Sequence, residues 1–228
     1  MGSSLPVPCW SCGAERGADV PLCPACGKVQ PATPHKAGET RVADKFAMLG
    51  VERNFDLDEA KLSEQFRALS RKLHPDRFVR ATPQERRFAL EQTTRLNDAY
   101  RTLREPARRA EHLLELRGIH LAGDGPQTAH GLPVQQPVQM SMEFLEEMMD
   151  EREALLDAKH SEGAAEKMKA LAAQMETKRA ATLARVGEML RALDQADAAP
   201  IEAVAEQIAR LRYYDRYLDE ALGRSAEN

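Results

Sequence analysis

The sequence predicts a nearly all-α protein made of an N-terminal zinc-knuckle extension, a helical hairpin and a C-terminal antiparallel three-helix bundle. Three observations carry that expectation. Aromatic residues make up only 5% of the 228 positions while Ala, Leu, Glu, Arg and Met abound, a balance that favours helices over sheets. Beyond Val42, apolar residues recur at spacings of three and four, the period of one helix face. All four cysteines lie within the first 26 residues, in a stretch rich in Pro and Gly that shows no such period.

Residues 1–40 contain no periodic segment long enough to bury a core, so something other than packing must order them. CWSCG (Cys9, Cys12) and CPACG (Cys23, Cys26) form two C-x-x-C pairs with ten residues between them. Four such thiolates close a tetrahedral site on a zinc ion, with Zn–S bonds of about 2.3 Å. Four ligands leave no open position, so the role is structural. Gly13 and Gly27, one after each pair, permit the positive φ of a tight turn in which backbone N–H groups approach sulfur. Competing readings are paired disulfides, which an intracellular setting disfavours, and a rubredoxin-like iron site or redox dithiols. Trp10 reads as a hydrophobic cover over the knuckle.

Residues 41–118 read as a helical module. A short helix holds Phe46 and Leu49, GVERNF turns the chain, and a longer helix runs from Leu57 to Leu73. Its Leu62, Phe66, Leu69 and Leu73 share one face, and Arg67, Arg71 and Lys72 fall off it. Thr82-Pro83-Gln84-Glu85 signals the next helix start: an N-cap, a proline at the first position and an acid in the first turn. Phe88, Leu96, Ala99, Tyr100 and Leu103 form its apolar stripe, Pro106 stops it, and a short helix through Ala110, Leu113 and Leu114 follows.

Residues 119–140 are dense in Gly, Pro and Gln and read as a linker. Three helices follow in 141–228, about Ser141 to His160, Gly163 to Asp194 and Pro200 to Leu222, with breaks at HSEG and QADAAP. Met168, Leu171, Met175, Thr182, Val186, Met189 and Leu193 mark the second, and Val204, Ile208, Leu211, Leu218 and Leu222 the third. Short connections between such helices give an antiparallel bundle.

Charge and hydropathy exclude several function classes. No window approaches the roughly 18 apolar residues of a membrane span, and MGSSLPVPCW has neither the basic start nor the apolar core of a secretory signal. The expected setting is the cytoplasm, or the mitochondrial matrix for a eukaryotic source. The net charge of −4 divides as 0 over residues 1–40, +4 over 41–118 and −8 over 119–228. A net of +4 with interspersed acids is weak for counterion-driven nucleic-acid binding but suits docking on an acidic protein surface.

Within RKLHPDRF, Pro75 disfavours helical geometry at His74, so the helix ends there and a stiff His74-Pro75-Asp76 loop is displayed. A histidine at a helix C-terminus and a loop Asp capping N–H groups would account for the loop structurally. No serine or cysteine nucleophile accompanies the pair, which argues against catalysis.

The order FAMLGV, RALSRKLHPDRF, RLNDAYRTLREPARRAEHLL resembles a J-domain, the DnaJ-type module that binds heat-shock ATPase chaperones and stimulates their ATP hydrolysis. With the acidic helical segment behind it, the chain from 41 to 222 resembles the HscB co-chaperones of iron–sulfur cluster assembly. The resemblance implies that the protein is no enzyme itself but an ATPase activator of an HscA/DnaK-type chaperone. It assigns His74, Pro75 and Asp76 to stimulation, and Arg67, Arg71, Lys72 and Arg77 to docking. It further implies that the first helix of the bundle, SMEFLEEMMDEREALL, holds an IscU-like cluster scaffold. That helix carries two neighbouring apolar stripes, Phe144, Met148 and Leu155 beside Leu145, Met149 and Leu156. The family pattern assigns Leu145, Met149, Asp150 and Glu153 to the scaffold, with Tyr213 or Tyr217 of the last helix beside them. Glu146 stands where some relatives are apolar, and the connector from Gly123 to Gln139 is longer than the family's usual hinge. A cysteine-pair extension in front of the J-domain is likewise known in some HscB-like proteins. A general J-protein with another client and a zinc-ribbon nucleic-acid adaptor are the alternative classes, the second disfavoured by the acidic balance.

Overall fold

A computed structural model describes residues 6–33, 42–119, 121, 138–193 and 200–224. The chain divides into two compact units, Met1–Gly118 and Ile119–Asn228. Most of the Gly/Pro-rich connector and the QADAAP break lie outside the described residues.

The first unit begins with two short antiparallel strands, β1 (Val7–Pro8) and β2 (Glu15–Arg16), followed by a bridge between Leu22 and Val29. Four helices follow: α1 (Lys45–Leu49), α2 (Glu59–Leu73), α3 (Pro83–Arg104) and α4 (Pro106–Glu115). Each start has a side-chain cap for otherwise unpaired backbone N–H groups. Asp44 accepts from the N–H groups of Phe46 and Ala47, and Asp58 from that of Lys61. Thr82 and Glu85 form a reciprocal capping box at α3, and Glu105 caps α4 through the N–H groups of Ala107 and Arg108. Gly50, at φ 66°, supplies the left-handed residue that ends α1.

Helices α2 and α3 form an antiparallel hairpin, since Ser63 meets Tyr100 at 3.2 Å while Leu73, ten residues on, meets Thr93. Phe66 stacks on Tyr100 with ring centroids 4.1 Å apart, and Leu62, Leu73, Leu96 and Leu103 fill the seam with Phe46 and Leu49 of α1. Two polar residues of α4 are buried in this unit and paired. Arg109 donates to the carbonyls of Leu103 and Phe55, and His112 accepts the Lys45 N–H at the head of α1.

The second unit is three helices, α5 (Met142–Lys159), α6 (Ala164–Ala192) and α7 (Ile201–Ala221). Phe144, Leu155, Met175, Val186, Val204, Ile208 and Leu211 form its core. Leu222, counted in the α7 stripe from its spacing, falls just past the helix end and is exposed.

The cysteine-bearing segment is also packed against the helices of the first unit, which its lack of period did not announce. It rests along α3 through residues far apart in sequence. Trp10 ties the segment to α3: its Nε1–H donates to the Val29 carbonyl at 2.6 Å while its ring meets Phe88 of α3 edge-on at 6.0 Å.

Candidate functional site

The displayed loop comes first. Helix α2 ends at His74, whose ψ of 132° is the extended geometry that a following proline imposes, and residues Pro75–Phe78 form one 3-10 turn. The Asp76 N–H lies 3.3 Å from His74 Nδ1, and the Asp76 carboxylate lies 3.4 Å from the same nitrogen, so the ring is held against its own loop. His74, Pro75, Asp76 and Arg77 are all exposed, as are Arg67, Arg71 and Lys72 on α2. Arg71 and Lys72 lie in the last turn of α2, where cations meet the negative end of the helix dipole. Arg67, Arg71, Lys72 and Arg77 form no ion pair at or below 4 Å among the described residues, so a basic surface adjoins the His-Pro-Asp edge.

The four cysteines converge. Their sulfurs all lie within 4.8 Å of one another, with Cys9 to Cys26 and Cys12 to Cys23 each at 3.7 Å. A tetrahedral ion with sulfur bonds of about 2.3 Å sets its ligands about 3.8 Å apart, so the set fits one metal ion. None of the four is in a disulfide. Each C-x-x-C pair makes the same turn: Gly13 and Gly27 sit at φ 75° and 71°, and their N–H groups donate to the carbonyls of Cys9 and Cys23. The thiols compete for ionisation. Burial pushes Cys9 up, but the Cys12 and Ser11 N–H groups and neighbouring thiols outweigh it and bring it down to about 6. For Cys12 the Ala14 N–H acts downward, and Cys26, burial and the remaining thiols override it, raising it to about 12. A cation at the centre removes that conflict by taking all four as thiolates.

Polar residues that sequence reasoning did not single out surround this cluster. Gln30 is fully buried: its Nε2 donates to Cys9 Sγ at 3.2 Å and its Oε1 accepts from Arg16 Nε at 3.0 Å. Arg16 is buried too, donating to the carbonyls of Gly17, Ala18 and Val20, and its cation lies close enough to Cys9 and Cys23 to favour their charged forms. Only a polar residue near a C-x-x-C pair marks them in the sequence, which is a weak signal.

The third set lies on α5. Phe144, Met148 and Leu155 are buried, so this stripe packs inward. The other stripe faces out: Met149 is 72% exposed, Leu156 is 47% exposed and Leu145 is half-buried. At 3.6 residues per turn the outward face has an apolar flank of Met142, Leu145, Met149 and Leu156 beside an acidic flank of Glu146, Asp150, Glu153 and Asp157, every acid exposed. Glu147 and Glu151 point elsewhere, both held by Lys178 of α6 at 2.7 and 2.6 Å. Tyr213 is half-buried, edge-on to Phe144 at 5.5 Å with the Arg216 guanidinium over its ring. Tyr217 does not belong to the surface. It is 4% exposed, its hydroxyl has no hydrogen-bond partner among the described residues, and burial pushes its phenol up.

Two family models match this chain, the DnaJ domain over residues 44–112 and the HSCB C-terminal oligomerisation domain over residues 140–221. The co-chaperone protein HscB homolog of Shewanella frigidimarina is 33% identical over 175 residues, covering 77% of this chain and 92% of that protein. The iron-sulfur cluster co-chaperone protein HscB of Mus musculus is 31% identical over 216 residues, 93% of this chain and 80% of its own length. Among solved structures, human co-chaperone protein HscB aligns with a TM-score of 0.70 at 28% identity, covering 97% of this chain and all of the human one. Chaperone HscB from Vibrio cholerae aligns with a TM-score of 0.65 at 29% identity, over 79% and 96% of the two chains.

Proposed function

Because this chain belongs to the HscB family of co-chaperones, we propose that it brings an IscU-like iron–sulfur scaffold to an HscA/DnaK-type ATPase chaperone and stimulates ATP hydrolysis there. The observation that carries this reading is one chain bearing both an exposed His-Pro-Asp edge beside exposed bases that form no ion pair among the described residues and an open α5 face that is half apolar and half acidic. His74, Pro75 and Asp76 act on the chaperone, with Arg67, Arg71, Lys72 and Arg77 docking and orienting it, since exposed charges steer encounter more than they anchor. Leu145, Met149, Asp150 and Glu153 hold the scaffold, with Tyr213 alongside. Exposed methionine suits an adaptable surface of this kind.

The gain is effective concentration. A chain that holds both proteins makes their meeting nearly intramolecular, which raises productive encounters without any new contact between them. The ATP chemistry belongs to the partner. Cys9, Cys12, Cys23 and Cys26 hold zinc in a structural site, because four thiolates leave the ion no open position. Nucleic acid and membrane are not partners in this reading, and no described helix is long and apolar enough to cross a membrane. Its place is wherever the cluster scaffold works, the cytoplasm of a bacterium or the mitochondrial matrix of a eukaryote. Steady-state ATPase of the chaperone, with and without scaffold, tests the proposal. Wild type stimulates and Asp76→Ala does not; equal stimulation by the two rejects it. A pull-down that never enriches a cluster scaffold would leave a general J-protein with another client.

A further inference from the structure

The His-Pro-Asp segment is strung between two points on α3. At its start the Leu73 carbonyl lies 3.2 Å from Thr93 Oγ1, whose single proton it shares with the Ala89 carbonyl at 2.8 Å. At its end the Thr82 N–H and hydroxyl both donate to Glu85 Oε2, at 3.1 and 3.0 Å. The frame of the loop is therefore the stretch of α3 from Glu85 to Thr93.

That same stretch is gripped by the cysteine knuckle. Lys28 Nζ reaches the other oxygen of Glu85 at 2.6 Å, Trp10 meets Phe88, Gln92 Nε2 donates to the Gln30 carbonyl at 2.9 Å, and Arg95 pairs with Asp19 at 3.2 Å. Positions 85, 88, 92 and 95 follow one another at spacings of three, four and three, so they form one stripe along α3. Asp19 also accepts the backbone N–H of Asp44, the cap of α1. Inside the knuckle the connection continues to sulfur, because Gln30, whose carbonyl holds Gln92, donates its side-chain amide to Cys9 Sγ.

We propose that the knuckle is a positioning clamp for the His-Pro-Asp edge, and that metal held by the four cysteines and the placement of α3 under that loop are thermodynamically linked. Lys28 and Gln30 are positioning residues acting through Glu85 and Gln92. The ion joins the two C-x-x-C turns, and only while they are joined do Lys28, Gln30 and Trp10 sit at fixed places against α3. Linkage is reciprocal, so contacts on α3 must hold the metal as firmly as the metal holds α3. The consequence for ATPase stimulation rests on the function proposed above; the clamp itself does not.

The test uses the full chain, loaded with zinc or stripped by a chelator. Stripping speeds amide exchange over residues 73–93 at least about tenfold and leaves α5–α7 unchanged. Lys28→Ala with Gln92→Ala speeds release of zinc to a chromogenic chelator about five- to tenfold, and Lys28→Arg in place of Lys28→Ala restores most of it by keeping the ion pair. Equal exchange over 73–93 in the loaded and stripped protein, or equal zinc release from wild type and the double variant, overturns the clamp. None of these readouts uses the chaperone. Coupled exchange and release in a protein that does not stimulate the ATPase even when loaded would uphold the clamp and reject the function proposed above.

Discussion

The His-Pro-Asp edge and the α5 face are both exposed, yet they are built in opposite ways. The edge is a single 3-10 turn, shaped by Pro75 and held at its ends by contacts with Thr93 and Glu85 of α3. The α5 face needs no such support, because a regular helix fixes the direction of every side chain and Phe144, Met148 and Leu155 seat it on the bundle. A loop that must present a backbone-defined shape depends on distant contacts. A helix that presents a composition depends only on its own inward stripe.

That contrast can be broken by substitution, and the largest effect is expected inside the bundle. Phe144→Ala removes a ring packed among Tyr213, Tyr214 and the Arg210 guanidinium, and costs about 3–5 kcal/mol in a denaturant unfolding measurement. The adjacent outward stripe behaves differently. Met149→Glu leaves stability within about 0.5 kcal/mol but weakens scaffold binding about tenfold by calorimetry, because it ends the apolar flank without touching the core. A loss of more than about 2 kcal/mol would mean that Met149 is core, and the two-stripe description of α5 would fall.

Smaller effects test the loop's supports. Glu85 is held down to about 2 from its ordinary 4.5, first by Lys28 and then by the Thr82 N–H and hydroxyl. A depressed acid stabilises the fold above its unfolded value and loses that contribution as pH falls through the folded one. The stability difference between wild type and Glu85→Gln, about 1 kcal/mol as for a helix cap, is therefore flat above about pH 4.5 and shrinks towards pH 2. A difference that grows on acidification contradicts the assignment. The smallest change is Tyr217→Phe, which removes an enclosed hydroxyl without a partner among the described residues, so the unfolding free energy changes by about 0.5 kcal/mol or less, in the stabilising direction.

Local features were readable from the sequence because their signals are local. The spacing of Leu62, Phe66, Leu69 and Leu73, the Thr82–Glu85 box and the proline after His74 each act within one or two turns, and the helices follow them. The two stripes of α5 were visible too, but spacing alone does not say which one faces inward. Tyr213 and Tyr217 are four residues apart and nominally share a face, and only the packing of α7 separates the half-buried ring from the enclosed one. The docking of the knuckle on α3 was not legible. Its pairs, Trp10 with Phe88, Lys28 with Glu85 and Gln30 with Gln92, span roughly sixty to eighty residues and carry no periodic signature.

Whether one chain couples these two surfaces is read from the chaperone's ATPase rate with and without scaffold for wild type, Asp76→Ala and Met149→Glu. Wild type stimulates, and scaffold raises the rate beyond the sum of its separate effects. Asp76→Ala leaves only the rate seen without co-chaperone in either condition, whereas Met149→Glu keeps the scaffold-free stimulation and loses most of the added gain. An Asp76→Ala protein that stimulates like wild type, or a Met149→Glu protein with the full gain from scaffold, would contradict the account.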